Sequence, residues 1–483
     1  MTALDTSFGK DKIRNLPNNW IELRLEEVLE NHRGGVWGIE TKPGIGYPVL
    51  RSTNMRGSVL DFSETAWCDV SKDQAEIAKL MPGDIIVTKS SGSPRLVGLP
   101  VLFENNPDGK TYLFSNFTLR LRPNFQKIFP KLLFYFLSGE KATIDRMGMA
   151  QDTTGLRNLK VKEYLSQKIP IPPLDEQQRL ITKLESILAQ TSTARTALEC
   201  IPPLLKTFRQ SVLVAAFRGE LTERDSNDEP AEALLERIRA ERRKRWKESL
   251  RVKGKDPAKF EYEEPSVPDT SNLPELPEGW MWTALDQLLD RIEAGHSFKA
   301  QGRPAEDREF GVIKVSAMTW GRFIPEENKA LLPETDPGNT PTIHKGDLLI
   351  SRANTVELVG AVVLVDKDYP NLLLSDKSLR LVPITEEISK EFLLFALRTH
   401  PVRKVFEGEA TGVSESMRNI TQEKIKSAPI ALPPVQEQIR IIEKIQKSYH
   451  QIDAIERACI SASRRLNELE QATLSKAYRG KMV

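Results

Sequence analysis

The chain has 483 residues, 39% of them hydrophobic, with a formal net charge of +2 and a mean hydropathy of −0.39. That length allows roughly two to four domains, and it contains neither an apolar run of the about 18 residues that a membrane span needs nor, in the opening MTALDTSFGK, the apolar stretch of a signal peptide. Three scattered cysteines (Cys68, Cys200, Cys459) read as thiols of a reducing cytoplasm, not as a disulfide or zinc framework, and a balanced net charge leaves room for local basic patches.

Residues 16–173 carry the pattern of a mixed α and β domain. Leu16-Pro17 and Trp20 introduce a predicted amphipathic helix ending near Glu30. β-Branched runs bounded by Gly, Pro and Asn predict strands at Pro48–Ser52, Ile85–Thr88, Val97–Phe103 and Phe117–Leu121. An apolar stretch predicts a helix at Pro130–Ser138. Pro172-Pro173 then stops the domain and permits a helix start, with Asp175 and Glu176 in the first turn where the helix dipole favours acid. Leu180, Leu184, Ile187, Thr191, Ala194 and Leu198 follow at spacings of three and four, a coiled-coil seam. Ile201-Pro202-Pro203 interrupts it and predicts a kink or a split into 175–200 and 203–218, read as a local bend.

The next segment, 222–275, predicts a helix over Glu229–Leu250 with a dense basic run from Arg237 to Lys255. That run suits phosphate contacts or a docking helix for a partner, and equally a solvated face with pairs such as Glu241–Arg245. Pro257–Pro277, rich in Glu and Pro, reads as an extended tether. Residues 276–434 return to the plan of 16–173, with Phe392–Leu397 as the matching helix. After Pro433-Pro434 and Glu437 a second long helix places Ile445, Ile452, Cys459, Leu466 and Thr473 every seven residues, with Ile442, Tyr449, Ile455, Ala462 and Leu469 interleaved.

The halves match motif by motif. LPNNWIELRLEEVLE at 16–30 returns as LPEGWMWTALDQLLD at 276–290. MPGDIIVTK (81–89) returns as HKGDLLISR (344–352), and SNFTLRLRP (115–123) as SDKSLRLVP (375–383). TTGLRNL (153–159) returns as ATG and RNI (410–412, 418–420), IPIPPLDEQQRL (169–180) as PIALPPVQEQIRI (429–441), and AAFRG (215–219) as KAYRG (476–480). The chain is therefore a fused pseudo-dimer of α+β class. Two homologous mixed α/β domains (1–174 and 276–434) are joined to two long helices (175–221 and 435–483), with 222–275 as the one segment lacking a repeat partner. The simplest packing sets the helices against each other, antiparallel. A helix of about 40 residues is roughly 60 Å long, enough to reach major grooves one or more turns apart, a turn being about 34 Å.

The LPxxW openings, the Gly83-Asp84 and Gly346-Asp347 turns, PPxxEQ at Pro172–Gln177 and Pro433–Gln438, and the endings Phe217–Gly219 and Tyr478–Gly480 resemble the DNA-specificity subunits of type I restriction-modification systems. The resemblance covers about residues 14–483 and rests on order and duplication, since each motif alone is weak. It implies two target-recognition domains, each reading one half of a split, asymmetric site on double-stranded DNA. It implies helices that measure the spacer and dock two methyltransferase subunits, with restriction/translocase subunits completing the complex and no membrane involved. S-adenosylmethionine, ATP and Mg are then needs of the partner subunits and not of this chain.

Two pairs of loops are candidate base readers. The first is Lys89, Ser90, Ser91 and Arg95 after one Gly-Asp strand, with Arg352, Asn354 and Thr355 after the other. Arg and Lys can bond guanine, Asn can bond adenine, and hydroxyls can bond either or a phosphate. The framing strands agree between halves while the loops differ, as two readers of unlike sequences require. The second pair is Thr154 with Arg157, and Thr411 with Ser414 and Arg418, hydroxyl loops beside arginine that suit phosphate. Polar hairpins and helix caps are the plainer readings of both, and Trp20 and Trp280 read as core anchors.

Chemistry of the chain's own is not legible. Gly109-Lys110-Thr111 ends like a phosphate loop, but Glu104 stands where the leading glycine belongs. Pro82-Gly83-Asp84 with Lys89 lacks the second carboxylate of a metal nuclease, Val87 standing in its place. The five histidines show no metal-ligand spacing. The sequence thus predicts a non-catalytic DNA-recognition subunit, the alternative being a coiled-coil scaffold whose paired domains bind proteins or small ligands.

Overall fold

The computed structural model describes residues 16–482 except 57–58, 94–95, 140–147, 154–155, 320, 356–357, 409–410 and 415–416, and side chains outside 150–156 and 411–417. The chain forms two units, one of residues up to Ile201 together with Ala458 onward, the other Pro202–Arg457. Each unit combines one mixed α/β domain with segments of two long helices. The helix Val435–Tyr478, 44 residues long, contributes to both.

The two domains repeat the same set of sheets. In the N-terminal domain a four-stranded antiparallel sheet runs in the order Pro100–Phe103, Asp84–Thr88, Thr118–Pro123, Leu29–Gly34. Its counterpart in the C-terminal domain runs Val362–Leu364, Leu348–Ser351, Ser378–Pro383, Leu289–Ala294. A second four-stranded sheet and a short three-stranded sheet accompany it in each half. The main sheet packs against the helix Pro130–Ser138, or Lys390–Ala396 in the second half, through Leu132, Leu133 and Phe136, or Phe392 and Leu393.

The opening of each repeat is not the long amphipathic helix that its sequence predicts. Ile21–Arg24 is a strand, Leu25–Val28 a single helical turn and Leu29–Gly34 a second strand. Met281–Ala284, Leu285–Leu288 and Leu289–Ala294 do the same. The reason is a partner far along the chain. Ile21–Arg24 pairs antiparallel with Lys168–Ile171, and Met281–Ala284 with Pro429–Leu432. Leu25 and Val28 bury fully from one turn, which imitates helical spacing.

That pairing brings the LPxxW motif to PPxxEQ. Trp20 Nε1 donates to Glu176 Oε1 at 2.7 Å and Asn19 Nδ2 to Oε2 at 2.9 Å. Trp280 Nε1 donates to Glu437 Oε2 at 2.9 Å. The carboxylate sits in the first turn of the long helix, where the dipole favours it. Gln177 ties the same turn down, donating to the carbonyls of Lys127 and Pro172 and accepting from Phe129 N. The third motif closes the arrangement. Gly480 and Gly219 adopt positive φ, and a Cβ on either would fall within 2.5 Å of Pro17 or Pro277, so only glycine lets the helix ends lie against the Leu-Pro turns.

The first arm consists of the helices Leu174–Glu199 and Ile201–Phe217. Pro202 and Pro203 fall in the first turn of the second helix, where a missing N–H removes no internal bond, and Cys200 keeps helical dihedrals between the two. Packing is antiparallel within each unit. In one, Arg195 meets Asn467 and Glu470, while Leu180 and Leu184 share a core with Leu474, Ala477 and Met482. In the other, Arg209 meets Asp453 and Glu456, while Val212 and Ala216 share a core with Ile441 and Ile445. The heptad reading is only partly realised. Ile445, Ile452 and Thr473 are buried, but Ile455 and Leu469 are exposed, and Ile441, Leu474 and Ala477 take the interior instead. Short stretches of contact follow the 3.6-residue period of a straight helix in place of a strict seven-residue repeat.

The basic segment resolves into a helix, Ala231–Val252, laid on the C-terminal domain. Leu234, Leu235 and Ile238 are buried among Leu285, Leu288 and Ile388. Four of its arginines are held by this chain. Arg237 lies between Glu387 and Glu229, which raise its pKa, and Arg243 meets Glu264. Arg245 meets Glu241 and Asp290, and Arg242 bonds the carbonyls of Asp286 and Leu289. The helix thus docks on the C-terminal domain of its own chain through its apolar face.

Glu176→Ala leaves the Trp20 indole buried without an acceptor and should destabilise the N-terminal unit by about 1–3 kcal/mol. Urea unfolding of the variant checks this. A loss below about 0.5 kcal/mol would contradict the anchoring role.

Candidate nucleic-acid interface

The two pairs of candidate loops form a single structure in each half. Ser90–Ser91 is a short strand that pairs antiparallel with Leu156–Leu159, placing Arg157 opposite Ser91 and Asn158 opposite Ser90. Ala150–Thr153 pairs on the other side. In the C-terminal domain Ala353–Asn354 pairs with Met417–Asn419, placing Arg418 opposite Asn354, and Thr411–Ser414 completes the sheet. Leu159 N bonds Lys89 O in one half and Ile420 N bonds Arg352 O in the other. A three-stranded platform thus leaves the main sheet directly after each Gly-Asp strand.

The candidate side chains divide by exposure. Lys89, Ser91, Arg157, Arg352 and Arg418 are half-buried and Thr355 is exposed. Ser90 and Asn354 are 7% and 8% exposed. Ser90 Oγ donates to Asn158 Oδ1 across the strand pair, and Asn354 Oδ1 accepts from Thr355 N at 2.9 Å. In this conformation those two side chains hold the platform and are not presented for base contact. Arg95 and Thr154 lie outside the described residues, and for Thr411 and Ser414 only the backbone is described. Among the described residues, neither the Lys89 ammonium nor the Arg352 guanidinium is engaged by a carboxylate of the chain. Asn158 was not among the sequence candidates, although RNL and RNI at corresponding places mark it.

The Gly-Asp turns beneath the platform are structural. Asp84 is 1% exposed and takes Arg122 Nε and Nη2 at 2.7 Å each, while accepting from Met81 N. The Asp84 carboxylate holds the Arg122 guanidinium above its ordinary pKa. In the C-terminal domain Asp347 accepts from His344 N, and its partner is Arg380. Arg380 corresponds in the repeat to Arg120, not Arg122. Arg120 instead bonds Asn31 and the carbonyls of Ile77 and Lys79, and burial lowers its pKa. The pin is the same, supplied from strand positions two residues apart on one face. Trp20 and Trp280 sit in the core, as their sequence context predicts. Among the described residues, no group of three or more His, Cys, Asp or Glu is arranged to hold a metal ion, and no helix is long and apolar enough to cross a membrane.

The family model for the type I restriction modification DNA specificity domain matches residues 17–201 and again 277–462. The chain belongs to this family. Its relatives include the type I restriction enzyme EcoEI specificity subunit of Escherichia coli, 30% identical over 90% of this chain and 66% of that protein. The EcoKI specificity subunit of Escherichia coli strain K12 is 27% identical over 97% of this chain and 90% of its own length. The chain therefore spans just under two thirds of the first relative and nine tenths of the second. Among solved structures, a chain from work on complex assembly and conformational transition of the type I R-M system superposes with a TM-score of 0.58 at 19% identity, covering 97% of this chain and 99% of that one. The HsdS subunit from Thermoanaerobacter tengcongensis superposes with a TM-score of 0.51 at 18% identity, covering 97% and 98%. At these identities the likeness is one of fold. Each family match begins within the LPxxW motif and runs on into the long helices, so each specificity domain includes the duplicated anchor.

Asp84→Ala leaves the half-buried Arg122 guanidinium with the Lys79 carbonyl alone and should cost about 1–3 kcal/mol, whereas adding Arg122→Met should restore part of it. Chemical denaturation of the single and double variants measures both. Equal or greater loss in the double variant would contradict the pairing as the cause.

Proposed function

We infer that this chain is the sequence-specific DNA-binding subunit of a type I restriction-modification complex, each specificity domain reading one half of a bipartite, asymmetric site. The observation that carries this reading is the platform built twice on one framework, with an arginine common to both (Arg157, Arg418) and different residues beside it: Lys89 and Ser91 in one half, Arg352 and Thr355 in the other. A shared framework fixes the approach to a groove, and differing donors select different bases. The paired helices join the two readers and set the unread spacer between half-sites, and they dock two methyltransferase subunits. The restriction/translocase subunits complete the assembly. In this reading the chain has no catalytic step of its own. S-adenosylmethionine, ATP and Mg are bound by the partner subunits, which act wherever this chain places them.

Mapping methylated adenine across the genome of cells that carry the chain with its methyltransferase, against cells lacking the chain, tests the reading. Loss of one bipartite, asymmetric motif on deletion is the expected result. An unchanged methylome with an active methyltransferase would overturn it and favour a scaffold role. Arg352→Ala should alter one half of that motif only, weakening discrimination there by about 1–3 kcal/mol. Equal change in both halves would show that Arg352 does not read bases.

A further inference from the structure

Between the strands Leu29–Gly34 and Ile39–Thr41 the chain reads Gly35-Val36-Trp37-Gly38. Trp37 is 71% exposed and its neighbour Phe117 39% exposed, with ring centroids 6.1 Å apart at a 56° tilt. An exposed tryptophan on a mobile loop would mean little, but this backbone is pinned on both sides. A Cβ on Gly35 would fall 2.1 Å from Phe114 O, and one on Gly38 would fall 2.8 Å from Cys68 Cβ. Val36 N bonds Phe114 O, and Asn116 N bonds Val36 O. The indole is held out from a fixed base, so apolar surface stays in water that a partner could remove.

The aromatic pair is continuous with the platform. Phe117 O accepts both Lys89 N at 2.8 Å and Ser90 N at 3.1 Å. Lys89 Nζ lies 3.9 Å from where a Cβ on Gly34 would stand, at the root of the same segment. Two aromatic faces beside a cation and a hydroxyl strand are what a nucleic acid meets well, base faces stacking while the cation serves a phosphate. The C-terminal domain supplies the comparison. There Gly295 abuts Leu374 O as Gly35 abuts Phe114 O, and Arg352 N bonds Lys377 O as Lys89 N bonds Phe117 O. The positions of Trp37 and Phe117 are occupied by Ser297 and Lys377. One framework thus presents an exposed indole backed by a phenyl ring in the first half, and in the second a hydroxyl and an ammonium beside the smaller His296–Phe298 ring pair, centroids 6.3 Å apart, whose imidazole bonds Thr340.

We propose that Trp37, supported by Phe117, stacks on the bases of the half-site read by the N-terminal domain, acting as an apolar wedge at a flexible base step, while the C-terminal domain, with Ser297 and Lys377 at those positions, has no such indole. The proposal rests on the DNA-recognition reading above. A wedge selects steps that unstack at low cost, such as TA or CA/TG, so it adds sequence preference without a hydrogen bond.

The test uses the full chain with its methyltransferase subunits and a duplex carrying the bipartite motif given by methylation mapping. 2-Aminopurine is placed in turn at each purine of both half-sites. Apart from the methylated adenines, which the methyltransferase itself takes out of the stack, wild type should raise the fluorescence at one step in one half only. Trp37→Ala should abolish that rise and weaken binding roughly ten- to hundredfold, the range expected for loss of base stacking. The slope of log affinity against log salt should not change, because no phosphate contact is removed. Trp37→Phe should retain most of both signals. An unchanged melting temperature for Trp37→Ala shows that the fold persists, as the indole's exposure requires. Wild-type affinity and fluorescence in Trp37→Ala would overturn the proposal, as would loss of methyltransferase association as the sole cause of weaker binding. A wild-type complex that binds motif and scrambled duplexes alike would instead overturn the DNA-recognition reading itself.

Discussion

The structure depends on one buried hydrogen bond made twice: an indole N–H at the entrance of each domain, Trp20 or Trp280, donating to a carboxylate in the first turn of a long helix, Glu176 or Glu437. A buried carboxylate is tolerated only when its acceptor sites are used. Here the indole, a neighbouring polar group (Asn19 or Thr222) and the helix N-terminus provide for it. The bond fixes where a domain ends and its arm begins, so the direction of the helix is set by the domain that precedes it. The glycine endings, Gly219 and Gly480, bring the far end of an arm back to the same Leu-Pro turns. Domain entrance, one helix start and one helix end therefore meet at a single junction in each unit. For a protein whose output is the placement of two reading surfaces, rigidity at this junction matters more than at any loop.

The motifs that define this junction were legible because they are duplicated. LPxxW, PPxxEQ and the Arg-Gly endings stood out at matching places in both halves, and the structure explains each by contact with the others. The helices at Pro130–Ser138 and beyond Pro172-Pro173 and Pro433-Pro434 were legible because proline, first-turn acid and apolar spacing are local signals. The opening segments misled, since Ile21–Arg24 takes its conformation from Lys168–Ile171, far along the chain. The basic run from Arg237 also resisted reading, because Glu387 and Asp290, which hold two of its arginines, lie well outside the run.

The candidate site was legible in its parts but not in its unity. The loops after the Gly-Asp strands and the Thr-Gly loops were separate candidates, and strand pairing joins them. Such pairing across more than sixty residues leaves no local trace in the sequence. Burial then sorts the candidates in a way that residue type alone could not, setting Ser90 and Asn354 inward while Thr355 faces solvent. The exposure of Trp37 was equally hidden, because Gly35 and Gly38 hold the backbone down through contacts with Phe114 and Cys68, far along the chain.

The central claim is that each domain reads its own half-site on a common framework. Its most direct test is a chain in which residues 277–432 are replaced by a second copy of 17–171, the junction motifs being kept, followed by methylome mapping. Methylation is expected at a motif whose two halves carry the same bases, those of the N-terminal half-site. Persistence of the original asymmetric motif, or a new motif that shares neither half with it, would contradict the claim.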